Sequence, residues 1–169
     1  MEFAVLLLTP LLGALLLAVW GARPRAAEIN IALSFGTFLA AAAVTVRVIN
    51  EGNLTAAHEQ FFLDPFNVFL VTLTAFVGLT TSIFSRPYMR IEMEHGRLSH
   101  GRLRLYHSMY QLFMTMMLVA LTTNNMGLLW VALAVLAGLT FAGLPLAWVI
   151  AVLSGLWVLY RIVRGWLRL

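Results

Sequence analysis

From Phe3 to Val163 the chain alternates long apolar runs with short polar links, and no Asp, Glu or Lys falls in the middle of any run. A helix crosses a bilayer with about 20 apolar residues. The hydrocarbon interior admits only helices and closed barrels, because unpaired backbone groups there cost several kcal/mol each. Of the 169 residues, 62% are apolar and 11% charged. Soluble domains lie nearer half and a quarter, so a water-soluble globule and a disordered chain are both excluded. The expected fold class is all-α, a polytopic integral membrane protein of about six transmembrane helices. Met1-Glu2 lacks the basic start of a cleavable signal peptide, so the first run is expected to be a retained span.

The predicted spans are Phe3–Trp20, Ile29–Ile49, Phe66–Phe84, Tyr106–Thr123, Met126–Ala142 and Leu146–Val163. Residues Asn50–Leu63 are expected to form a polar loop, and Ser85–Leu105 a long basic one. Asp64-Pro65 has the form of a helix start, with Asp capping free N–H groups and Pro at the first helical position. Entry of an ion at Asp64 is the alternative reading. Thr74, Gly78 and Ser82 recur every four residues, a small-residue stripe that lets another helix come close. Ala134, Gly138 and Ala142 give the fifth span a similar stripe.

Every basic residue is Arg, eleven against seven acids, and in a membrane protein that excess speaks first of topology. The link after span one carries Arg23 and Arg25. The loop after span three carries Arg86, Arg90, Arg97, Arg102 and Arg104. Both belong on the cytoplasmic side, which places the N-terminus outside. Arg161, Arg164 and Arg168 in the tail contradict this arrangement if all six spans cross. Their i, i+3, i+7 spacing is that of an interfacial anchor. The five loop arginines are candidates for anionic headgroups or a docking partner.

No Cys is present, which excludes disulfides, thiolate metal sites and a Cys nucleophile. His58, His95, His100 and His107 have no metal-ligand spacing on a predicted helix, and His107 with Tyr106 and Tyr110 reads as an interfacial belt. No catalytic residue, cofactor or metal site is expected, and no nucleic-acid partner.

Several stretches resemble one family. They are Leu7–Ala14, Phe62-Leu63-Asp64-Pro65-Phe66-Asn67, Leu73–Met89 with its Ser85-Arg86-Pro87-Tyr88-Met89, Arg104–Phe113 with its Tyr106-His107-Ser108-Met109-Tyr110-Gln111, and Asn124–Ala132. Residues 1 to about 133 resemble component F of hydrogenase-4, an antiporter-like membrane subunit related to the large proton-pumping subunits of NADH-quinone oxidoreductase. The resemblance implies a larger multi-helix subunit of a multi-subunit bacterial inner-membrane complex, with proton translocation coupled to redox chemistry held elsewhere. It also implies a periplasmic N-terminus. In that family Trp-Val-Ala is followed by an apolar residue and a buried Glu. Here Trp130-Val131-Ala132-Leu133 is followed by Ala134.

Two segments are expected: 1–133, a four-helix portion like component F, and 134–169, a divergent helical hairpin with a basic tail. The segment Trp157–Leu169 weakly resembles the ends of small bacterial membrane proteins. The expected origin is a fusion, frameshift or truncation near residue 133. The expected function is that of a truncated membrane subunit, unable to pump alone, whose partners are lipids and other subunits of a hydrogenase- or NADH-dehydrogenase-like membrane arm. The alternative is a small stand-alone structural or lipid-interacting membrane protein. An independent proton or cation carrier is disfavoured, because no span carries a buried acid or Lys.

Overall fold

The computed structural model describes residues 2–57 and 59–140. These form α1 (Glu2–Trp20), α2 (Ala26–Glu51), a hairpin of β1 (Leu54–Ala56) and β2 (Phe61–Leu63), α3 (Pro65–Glu94), α4 (His100–Thr122) and α5 (Met126–Thr140). The first four helices run alternately up and down. α1 lies between α2 and α4, α3 packs on α2 and less extensively on α4, and α5 lies against α4. The fold is all-α apart from the three-residue strands, as the apolar runs predict.

α1, α2 and α3 are long and apolar enough to cross a membrane. α4 is also long, at 23 residues, but buries His107, Ser108, Gln111 and Thr115 along one face. The described part of α5 has 15 residues, about 22 Å at 1.5 Å per residue. The expected count of six spans therefore finds three helices that meet both conditions among the described residues. The sixth span, Ala142 and the tail arginines Arg161, Arg164 and Arg168 lie outside the described residues.

Two expected loops take a different form. The basic stretch from Ser85 is not a loop up to Leu105, because α3 continues through Pro87 to Glu94 and α4 begins at His100. A charged run ends the apolar part of a helix without ending the helix, since Arg and Glu are good helix formers. Pro87 removes one backbone bond in α3, a loss that membrane helices offset with nearby Ser and Thr groups. The Ser82 hydroxyl donates to the Leu79 carbonyl at 2.7 Å and the Ser85 hydroxyl to that of Ser82 at 3.0 Å. At 30 residues, α3 is about 45 Å long against a hydrocarbon core of about 30 Å. Its charged end therefore projects past the apolar zone. The turn to α4 uses Gly96 at φ +69°, and the Ser99 hydroxyl accepts from the Arg102 N–H at 3.3 Å.

The second difference is at Asn50–Leu63, expected as a polar loop. Leu54, Thr55 and Ala56 pair antiparallel with Leu63, Phe62 and Phe61. At the start of β2, Phe61 also forms a bridge with Thr123, and the Gln60 carbonyl accepts from the Asn124 N–H at 2.8 Å. The hairpin thus ties the α2–α3 and α4–α5 connections together.

The outside of the bundle is apolar. Val19, Ile49 and Phe84 are 70%, 73% and 75% exposed, as a surface that faces lipid or neighbouring helices requires. The interior divides along its length. Near the hairpin it is apolar, built from Leu6, Val44, Val48, Leu63, Val71 and Leu118. Toward the arginine-bearing end it is lined by Asn30, Ser34, Thr37, His107, Ser108 and Gln111.

Small residues set the helix approach. A Cβ on Gly21 would lie 3.0 Å from the Arg104 Cα and 3.1 Å from its carbonyl oxygen, backbone atoms that cannot rotate away. A Cβ on Gly36 meets only Thr9 Cγ2 at 3.6 Å. Gly21→Val is expected to destabilise the bundle by about 1–3 kcal/mol. Gly36→Ala is expected to be neutral or stabilising by up to about 1 kcal/mol. Reversible unfolding in mixed micelles followed by circular dichroism checks the pair.

Candidate functional site

The polar half of the interior centres on Gln111. Its Nε2 group donates to Asn30 Oδ1 at 2.8 Å, with the Asn30 carbonyl and Ser34 Oγ each at 3.2 Å. The Ser34 hydroxyl donates to the Asn30 carbonyl at 2.9 Å. One turn below Gln111, the Ser108 hydroxyl donates to the Ala14 carbonyl at 3.0 Å. These bonds join α4 to α2 and to α1. All four side chains are buried. Gln111 Oε1 and both ring nitrogens of His107 have no partner among the described residues.

Glu28, in the first turn of α2, faces α3 at the end of this seam. Its Oε1 accepts from Arg86 Nη2 at 2.7 Å and Arg86 Nε at 3.0 Å. Arg90 Nη2 lies 3.5 Å from the same oxygen. The helical extension of α3 makes this possible, since Arg86 and Arg90 are one turn apart on one face. Beside them is a cavity of about 280 Å³ whose walls include Arg23, Arg86, Arg90, His100 and His107. The Arg23 guanidinium also lies over the Trp20 ring, 5.2 Å from its centroid.

The remaining sequence-derived candidates are dispersed. Arg97 pairs with Glu92 at 3.4 Å. Arg102 and Arg104 are exposed, and neither lines the cavity. The Asp64 carboxylate accepts from the Asn67 N–H at 2.6 Å, with Pro65 opening the helix. At Gly78 the Tyr110 hydroxyl donates to the carbonyl, and Met114 occupies the space a side chain would fill. Ser82 is buried and Thr74 half-buried. Thr74 and Gly78 border a groove of about 290 Å³ between α3 and α4. On α5, Gly138 is buried and Ala134 half-buried. At the hairpin end, Arg47 bonds Glu51 at 2.9 Å and Glu2 at 3.4 Å.

His107 differs from its expected place in an interfacial belt, because it is 1% exposed inside the bundle. It lies four residues before Gln111 and so shares the inward face. The seam itself was not among the sequence-derived candidates. Its signal was the spacing of Asn30, Ser34 and Thr37 on α2 and of Ser108, Gln111 and Thr115 on α4, steps of three or four residues within apolar helices. Arg23, expected in the link after span one, lines this cavity, and Glu28 on α2 meets Arg86 because α3 stays helical past Phe84.

The Gln111–Asn30 contact carries a quantitative expectation. Interhelical polar pairs in a membrane couple by about 0.6 kcal/mol on average and up to about 1.7. Gln111→Leu and Asn30→Leu should each destabilise, and the double variant should cost less than their sum by about that coupling. A double-mutant cycle of unfolding free energies in mixed micelles measures it. Strict additivity would mean that the two amides do not interact.

No protein-family model matches the chain. It is 35% identical over 133 residues to the hydrogenase-4 component F homolog of Methylacidiphilum infernorum (isolate V4). The match takes in 79% of this chain and 27% of that protein. The chain thus spans about a quarter of the length of the relative it matches. Together with its apolar, outward-facing helices, that identity makes the chain a multi-pass membrane protein, homologous along most of its length to hydrogenase-4 component F and corresponding to a segment of such a protein.

Proposed function

We propose that this segment serves as a non-catalytic part of a membrane subunit, packed within the membrane arm of a hydrogenase- or NADH-quinone-oxidoreductase-like complex of a bacterial inner membrane. The observation that carries the reading is the identity with a hydrogenase-4 component F homolog. Two features support it. The bundle presents large apolar side chains outward all along its helices, as a unit surrounded by lipid and other helices does. The groove between α3 and α4, walled by Leu73, Val77, Phe113 and Met117, offers an apolar surface to a lipid chain or a neighbouring side chain. Its partners are lipids and neighbouring membrane subunits, and it uses no cofactor of its own.

The segment's part is to support proton translocation, not to conduct protons. Among the described residues the acids and arginines lie at the helix ends, and Ala134 follows Trp130-Val131-Ala132-Leu133. The chain's own departure from component F begins near residue 133, inside α5. A relay needs titratable groups in series through the membrane, and the seam offers neutral amides and hydroxyls with His107 alone among them.

Solubilised in mild detergent from its native membrane, the tagged chain should co-purify with other integral membrane subunits. Reconstituted alone, it should leave the proton permeability of vesicles unchanged under an imposed potential. A homogeneous chain without associated subunits would favour the stand-alone, lipid-interacting reading. Proton flux above that of protein-free vesicles would refute the supporting role.

The absence of Cys makes the orientation directly testable. With the N-terminus periplasmic, Asn53→Cys beside the hairpin should react with an impermeant maleimide in intact cells. Glu94→Cys at the end of α3 should react only after lysis. The reverse pattern would invert the assignment.

A further inference from the structure

We propose that the cavity bounded by the α1–α2 link, the end of α3 and the start of α4 binds the phosphate of an anionic phospholipid headgroup through Arg23, Arg86 and Arg90. Three guanidinium groups line this cavity, and Glu28 pairs with two of them. Glu28 holds Arg86 through two bonds to one oxygen and draws Arg90 to the same atom. It therefore orients the guanidinium groups while leaving an excess of positive charge. Guanidinium forks match phosphate oxygens in geometry and charge. On the cavity wall, His107 is 1% exposed and both its ring nitrogens lack a partner among the described residues. A buried imidazole without a partner leaves hydrogen-bonding capacity at the back of this wall.

Depth and lining indicate a lipid. Trp20 closes α1, under Arg23, and Trp side chains sit at the headgroup level of a membrane. Apart from its charged groups, the wall consists of Ala22, Ala27, Met89, Met93 and Leu103, with Pro24 at the link. Such a surface accepts the glycerol and upper acyl carbons that follow a headgroup phosphate. Arg97 and Arg102 lie on the same end of the bundle but outside this cavity, which separates a shaped site from a diffuse basic surface.

Native mass spectrometry of the full chain in detergent, titrated with phosphatidylglycerol or phosphatidylcholine, tests the proposal. Phosphatidylglycerol should bind more tightly than phosphatidylcholine. Arg23→Gln and Arg90→Gln should each weaken it about five- to tenfold. Arg97→Gln and Arg102→Gln, which remove the same charge elsewhere, should change it less than twofold. Arg90→Lys should keep part of the lost affinity, and guards against a folding defect at that position. Circular dichroism melting of each variant confirms the bundle. Equal losses from all four Gln variants, or equal binding of the two lipids, would overturn the site. Displacement of phosphatidylglycerol by millimolar inorganic phosphate would overturn the lipid assignment in favour of a free anion.

Discussion

The Gln111 amide meets Asn30 and Ser34 where three helices come together, and the arrangement of the bundle follows from that meeting. In a membrane no hydrophobic force draws one apolar helix to another, because lipid tails are as apolar as Leu. Association has to come from close backbone approach and from polar groups that cannot be satisfied by lipid. Both are present around Gln111. Gly13 on α1 would bring a Cβ within 3.5 Å of Gln111 Oε1 and 2.8 Å of Leu33 Cδ1. The Ser108 hydroxyl bonds the α1 backbone one turn away. Hence α1 is held between α2 and α4, with Gln111 bonded to α2 and Ser108 to α1.

The same condition explains why the interior divides in two. At the hairpin end the core is Leu, Val and Ala, and order there comes from the connections: the strand pair, Asp64 on the Asn67 N–H, and Gln60 with Asn124 and Asn125. Among the described residues, the arginine end has no sheet. Order comes from side-chain bonds within the bundle and from Glu28 with Arg86. That pair is half-exposed, and a surface pair of this kind contributes at most about 1 kcal/mol. Its consequence is positional. It fixes the projecting end of α3 over the start of α2 and sets two guanidinium groups on the cavity wall.

Much of this was legible in the sequence. Apolar run length predicted six spans, of which α1, α2 and α3 among the described residues are long and apolar enough to cross a membrane, and Asp64-Pro65 marked the beginning of α3 to the residue. The inference failed where it equated the end of an apolar run with the end of a helix. Hydropathy reports the solvent a residue meets, whereas helix continuation depends on backbone bonding, and α3 keeps its bonds through Arg86, Arg90 and Glu92. The hairpin escaped notice because its strands are three residues long and end in left-handed backbone at Ala57 and Glu59, where glycine is the usual cue. The seam was encoded, as polar residues three and four apart on α2 and α4. Recognising it required knowing which helices face each other, and spacing within one helix does not carry that.

Neutral groups and charged groups therefore divide the labour by depth. Amides and hydroxyls occupy the bundle interior, where they bind helices together without the desolvation cost of an ion. Arginines and carboxylates gather at the helix ends, within reach of water and headgroups. A buried titratable acid at position 134 would break this division, and Ala134 preserves it. His107 is the point where the two regions touch: it is buried on the seam's side, yet forms part of the wall of the arginine-lined cavity. One helical turn separates His107 from Gln111, so the wall of the cavity and the bond from α4 to α2 are built on the same stretch of α4.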